Sequence, residues 1–379
     1  MKYFFLGLTL ILLGGCKKFG QIEFNGTTPG VKSGTFIIKT LRDSTLYGVN
    51  IKDEKFQATG ILPAPGYYTM DIIDDADKAT HDKHYEVYLE PGKYDIQTDA
   101  KAHYNYPKIT SSSKTQNDLS IYYGLVDQQQ ADDTKELADV KAKLDSVKHR
   151  THKAVENNSL VSKLAEIENR ENSGAFAALK LFAGQYPQSA ISAHLMSKLD
   201  YDQEPAKYDE LYNTFSAEAK NSDEGKEIGK KLSHLVKLIP GAQSPAIVGK
   251  TSDGKAFDPS SVKKKIILID FWRAVNQVSR LNHQDMVSML KGELSSKSFG
   301  IVSISIDSKY DWWRTAITED KMNWPQVSDL KGDDSQNAAN WAISKIPTYY
   351  LVDGNWKIIA RDIQLVEVPV YVNEYLSKH

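Results

Sequence analysis

The sequence predicts a multidomain α+β protein with a β-sandwich-like N-terminal domain, a helical middle segment and an α/β C-terminal domain. Three observations carry this. Residues 21 to 109 hold short stretches of alternating apolar and polar residues separated by Gly and Pro, the pattern of strands with one face buried. From Ser111-Ser112-Ser113 the apolar period becomes helical. Beyond Ile239-Pro240-Gly241-Ala242-Gln243-Ser244-Pro245, strand and helix patterns alternate, as in α/β folds. The chain has 379 residues, too many for one ordinary domain. The expected divisions are 1–15, 16–110, 111–239 and 240–379.

Residues 1–15 read as a signal peptide. Met1-Lys2 precedes an apolar run from Tyr3 to Leu13, closed by Gly14-Gly15-Cys16. That run is short for a transmembrane helix. Leu13-Gly14-Gly15-Cys16 resembles the lipobox of bacterial lipoproteins, which implies cleavage before Cys16 and a lipid on its sulfur. An ordinary signal peptide with a chance cysteine is the weaker reading, because Cys16 is the only cysteine and stands at the cleavage point. Each buried methylene of an acyl chain contributes about 0.8 kcal/mol to membrane attachment. Lys17 and Lys18 follow with no acidic cluster, whereas surface-exported lipoproteins of Bacteroidetes often carry acids there. The resemblance therefore implies an envelope protein on the outer membrane, facing the periplasm. Lysine and arginine number 47 against 49 acids, a net charge of -2, which points to neither nucleic acid nor a surface held to lipid by charge.

In the β-rich part, Thr35–Lys39 is one strand. Tyr85, Val87 and Leu89 alternate onto one face of another. Pro91-Gly92 and the alternation resumed at Tyr94-Asp95-Ile96 predict a hairpin. Leu125, Leu137, Val140, Leu144 and Val147 mark the first helical stretch. Separate helices are expected over 161–168, 175–182, 189–199, 208–219 and 227–238, the last after a cap in Asn221-Ser222-Asp223. No period suggests a repeat array. All six tryptophans lie beyond residue 240.

Lys265-Ile266-Ile267-Leu268-Ile269-Asp270-Phe271-Trp272 is a continuous apolar run with an acid near its end, suited to a central strand buried on both faces. The stretch resembles the strand that leads into the active site of thioredoxins, above all the TlpA/ResA-type, AhpC/TSA-related branch. Ile301–Asp307, Trp324-Pro325-Gln326 and Ile346-Pro347-Thr348 extend the resemblance over residues 240–379, the last as the family's cis-proline loop. A glycine usual after the following strand is replaced by Trp356. The parts before residue 240 resemble, more loosely, modules that precede such domains in Bacteroidetes lipoproteins.

The family's two active-site cysteines fall on Asn276 and Ser279. Disulfide exchange and peroxide reduction need a thiolate. An amide is neither nucleophile nor redox group, and a hydroxyl needs an adjacent base. His283 lies one helical turn from Ser279, but the plainer expectation is two exposed polar residues on a helix. Asn276 suits the N-cap of that helix. Asp270 matches the family's buried acid. Trp272, Arg273, Asn276, Ile346 and Pro347 are expected to line a shallow surface able to bind a peptide.

His81 with His84, and His149 with His152, lack an obvious third metal ligand, and Lys148-His149-Arg150 with Lys153 reads as a charged helix face. No metal and no cofactor is expected. Two functions stay open. One is a redox-inactive, lipid-anchored protein that binds a protein or peptide partner in the periplasm, alone or as a subunit of an envelope complex. The other is an atypical thiol-disulfide oxidoreductase or peroxiredoxin-family enzyme of cell redox homeostasis.

Overall fold

A computed structural model of the chain describes residues 20–77, 80, 83–98, 105–148, 154–202, 204–292, 294 and 298–379. The chain forms two compact units. One runs to Leu199 and includes Phe215–Ala219; the other comprises Asp200–Thr214 and Lys220–His379. The signal-peptide and Cys16 readings lie outside the described residues.

The first unit is built on one eight-stranded sheet: β1 (Gln21–Thr27), β2 (Ser33–Lys39), β3 (Thr45–Lys52), β4 (Lys55–Ile61), β5 (Gly66–Asp74), β6 (Tyr85–Leu89), β7 (Gly92–Gln97) and β8 (Lys108–Ser111). The strand order is β6-β5-β2-β3-β4-β1-β7-β8. Alternate residues of every strand turn to one core, among them Phe24, Phe36, Phe56, Val87, Tyr94 and Ile96. Phe36 stacks on Phe56 with ring centroids 4.1 Å apart. The expected hairpin at Pro91-Gly92 does not form. β6 pairs with β5, while β7 pairs with β1 and β8. Alternation had placed Tyr85, Val87, Leu89, Tyr94 and Ile96 on the buried face, but it specifies a face and not a neighbour.

Helix α1 (Lys114–Lys148) begins against both edge strands, β6 and β8. Its buried Gln116 accepts the Tyr88 N–H at 2.8 Å, so one exposed edge donor is satisfied. Helix α2 (Ala154–Gln185) runs through both the 161–168 and 175–182 stretches as one element. The polar residues between them are not a break, because they bond to α1. Gln130 donates to the Glu171 carbonyl at 2.8 Å, and Arg170 donates to Asp133 at 2.7 Å and also to Glu136. Helix α3 (Ser192–Ser197) is short and buried. The expected 208–219 helix is instead α4 (Pro205–Asn213) and α5 (Ala217–Asn221). The Thr214 hydroxyl turns back to the Leu211 carbonyl at 2.7 Å, and Ser216 accepts the Ala219 N–H at 3.1 Å, ending one helix and starting the next.

In the second unit, α6 (Asp223–Leu235) starts at Ser222, whose hydroxyl accepts the Gly225 N–H at 3.0 Å. The sheet that follows comprises β9 (Lys250–Thr251), β10 (Ile266–Trp272), β11 (Phe299–Ser305), β12 (Gln326–Ser328), β13 (Thr348–Asp353) and β14 (Ile358–Ile363), in the order β14-β13-β10-β11-β12-β9. β10, β11 and β12 are parallel, and β13 and β14 run antiparallel to their neighbours. Helices α7 (Gln277–Lys291), α8 (Tyr310–Glu319), α9 (Gln336–Asn340) and α10 (Val368–Lys378) complete the unit. All seven residues of β10 are buried. Ile266, Leu268 and Trp272 join one core, with Met286 of α7, and Ile267, Ile269 and Phe271 join another, with Trp341. Period two within an unbroken apolar run thus serves two cores at once. Trp356 has φ +63°, in the left-handed region, and Asp353 Oδ1 holds that turn by accepting N–H groups from Asn355 and Lys357 at 2.8 Å.

Candidate functional site

β10 delivers the chain to residues 273–276, where it turns into α7. That turn is pinned from several sides. Asp307 accepts the Ala274 N–H at 3.0 Å, Arg280 Nη1 donates to the Ala274 carbonyl at 3.3 Å, and Arg273 pairs with Asp333. Asn276 is the N-cap of α7, with extended backbone. Its Oδ1 accepts the Ser279 N–H at 2.8 Å, and its Nδ2 donates to the Ile346 carbonyl at 3.3 Å. The Ile346–Pro347 bond is cis. Asn276 and Ser279 therefore stand on the first turn of α7, with Asn276 tied to the cis-proline loop. A cap of this kind contributes about 1 kcal/mol relative to Ala.

Two sequence-based expectations are corrected here. Trp272 lines no surface: it is fully buried, with its ring edge-on to His283 at 4.6 Å between centroids. Arg273, Asn276, Ile346 and Pro347 remain half-buried. Ser279 and His283 are not exposed polar residues; they are 1% and 0% accessible. Ser279, His283 and Met286 form the face of α7 that packs inward. The spacing of 4 and then 3 residues is that of a buried helical stripe, a signal present in the sequence but masked by the polarity of the first two residues.

Behind the helix lies a chain of buried polar groups. Trp324 Nε1 donates to Ser303 Oγ at 2.8 Å, and Ser303 Oγ donates to Asp270 Oδ2 at 2.6 Å. His283 Nε2 lies 3.5 Å from that same oxygen, an ion-pair distance without a hydrogen bond. His283 Nδ1 bonds Asp320 Oδ2 at 2.7 Å, and Arg280 grips Asp320 through Nε at 2.5 Å and Nη2 at 2.8 Å. Ser279 Oγ has no hydrogen-bond partner. So the imidazole is engaged by two carboxylates, and Ser279 has no base to activate it.

The electrostatics follow from this arrangement. Burial disfavours a charged His283, but Asp270 and Asp320 outweigh it and hold the imidazole above its ordinary pKa. Burial would likewise raise Asp320, yet hydrogen bonds from Arg280 and His283 prevail and keep it below the usual carboxylate range. Burial pushes the Tyr349 phenol up; Asn282 donates to its oxygen at 2.8 Å.

The other candidates are placed elsewhere or lie outside the described residues. His84 bonds Asp71 at 2.7 Å, and Asp71 also pairs with Lys39 at 3.0 Å. His81, His149, Arg150, His152 and Lys153 fall outside the described residues. Among the described residues, no group of three His, Cys, Asp or Glu is placed to hold a metal ion, and no helix is long and apolar enough to cross a membrane.

The His283 cluster sets a pH dependence with a definite sign. A raised imidazole pKa contributes stability that is complete below its unfolded value of about 6.5 and lost as pH rises through the folded value. The depressed Asp320 contributes above its unfolded value and fades as pH falls through the folded one. His283→Gln should therefore lower the denaturant midpoint, followed by tryptophan emission, more at about pH 5.5 than at about pH 9. A gap that does not change with pH would refute this reading.

No protein-family model and no curated protein matches the sequence. Solved structures do resemble it. The thioredoxin domain of a thiol-disulfide oxidoreductase from Bacteroides vulgatus is 29% identical, matching 36% of this chain and 98% of its own, with a TM-score of 0.34. A thiol-disulfide oxidoreductase from Bacteroides fragilis is 28% identical over 36% of this chain and 98% of its own, with a TM-score of 0.32. A thioredoxin-like protein from Bacteroides caccae is 16% identical over 60% of this chain and 85% of its own, with a TM-score of 0.45.

Proposed function

We propose that this chain is a lipid-anchored envelope protein whose C-terminal part is a redox-inactive thioredoxin-like domain that binds an extended segment of a protein partner in the periplasm. One observation carries the reading. At the tip of α7, against the cis-proline loop, the two positions where thiol chemistry would sit hold Asn276 and Ser279, and both polar ends of Asn276 are engaged in hydrogen bonds. Disulfide exchange requires a thiolate at that place. The chain has a single cysteine, Cys16, which in this reading becomes a thioether under lipid. What the tip still offers is recognition. Arg273, Asn276, Ile346 and Pro347 are half-buried there, and they are the surface this reading gives to the extended segment.

Ser279 Oγ has no partner, so a sulfur in its place breaks no bond. Asn276→Cys with Ser279→Cys should create a chain that reduces an insulin disulfide in the presence of dithiothreitol, while the unaltered chain shows no turnover. Turnover by the unaltered chain would overturn the redox-inactive reading and favour the atypical oxidoreductase or peroxiredoxin. For the anchor, radiolabelled palmitate fed to expressing cells should enter the unaltered protein and be absent from Cys16→Ser. Equal labelling of both would remove Cys16 as the lipid site.

A further inference from the structure

The first two turns of α7 invert the usual helix pattern. Ser279 and His283 face inward, while Val278 and Leu281 are each 54% exposed, and Val275, just before the N-cap, is 70% exposed. Val278 shares a helix face with Asn282, and the same line continues through Asp285 and Met289 at spacings of 3 and 4. Asn282, Asp285 and Met289 form one wall of a groove of about 760 Å³. Val366 and Pro369 stand on the other side, and Pro347 of the cis-proline loop opens into it. Val366 and its neighbour Val370 are 75% and 67% exposed, so the rim on that side is apolar.

The charge inside the groove does not cancel. Lys345 and Asp362 neutralise each other at 3.0 Å. Asp285 is exposed and has no ion pair among the described residues. A cation opposite it would face one uncancelled negative charge, with Met289, Val366 and Pro369 lining the same groove. We propose that this groove selects a partner segment that is apolar and basic: a Lys or Arg against Asp285, with apolar neighbours on Met289, Val366 and Pro369. The inference rests on the peptide-binding reading above and adds the chemistry of the segment bound.

The test uses the full chain extracted in detergent and three fluorescein-labelled eight-residue peptides of alternating Val and Leu, with Lys, Gln or Glu at the centre, read by polarisation. The Lys peptide should bind about ten-fold tighter than the Gln peptide, a difference of about 1.4 kcal/mol, and the Glu peptide most weakly. Asp285→Asn should erase the preference, Asp285→Lys should reverse it, and Val366→Ser should weaken all three peptides. Both positions are exposed, and unchanged thermal unfolding would confirm intact folding of the variants. Binding without charge preference, or a preference indifferent to Asp285→Lys, overturns this inference and leaves the binding reading standing. No binding of any peptide overturns both. Self-association abolished by Val366→Ser would assign the groove to a second copy of the chain and overturn the proposal.

Discussion

The backbone N–H groups at the start of α7 constrain this end of the protein. A helix that begins where a central strand ends leaves up to four donors unpaired and a partial positive charge at its tip. A thiolate at that point would be favoured by both, which is how a reactive cysteine is sustained at a helix N-terminus. Here the demand is met by a neutral amide. Asn276 accepts the Ser279 N–H with its oxygen and donates to Ile346 with its nitrogen. One side chain thus satisfies the helix and fixes the neighbouring loop.

The interior behind the helix holds a line of charged groups. Asp270, His283, Asp320 and Arg280 alternate in sign along a connected line from β10 through α7 to the end of α8. Buried charges are costly, and removing one member strands the rest. His283 touches two carboxylates and lies edge-on to Trp272. A cluster of this type specifies how the helix seats on the sheet. The consequence is geometric: with His283 and Ser279 turned inward, the helix's apolar residues Val278 and Leu281 are left outside.

Local signals were legible in the sequence where one residue type satisfies one local need. The run from Ile266 to Trp272 reads as a strand buried on both faces, and Asn276 reads as a cap, because each follows from backbone donors or side-chain period alone. The neighbour of β7 was not legible. Tyr94 and Ile96 announce their buried face, but their parallel partner β1 lies some seventy residues earlier and is chosen by closure of the whole sheet. The same limit explains α2, whose polar middle is stabilised by Arg170 and Gln130 contacts to α1 that no window of α2 contains. Ser279 and His283 misled for a related reason. Polarity argues for exposure, whereas their helical spacing with Met286 and carboxylates distant in sequence argues for burial, and the second outweighs the first. Trp272 was read as a surface residue because it precedes the turn, although it still belongs to the strand's inward period.

The role of Asn276 as a cap is open to direct measurement through the unfolding free energy of a substitution series at that position. Ser and Asp can accept the same N–H, so Asn276→Ser and Asn276→Asp should stay within a few tenths of a kcal/mol of the unaltered chain, while Asn276→Ala should lose about 1 kcal/mol. Equal stability of all four proteins would contradict the account, since it would mean that the start of α7 does not depend on the side chain at its N-cap.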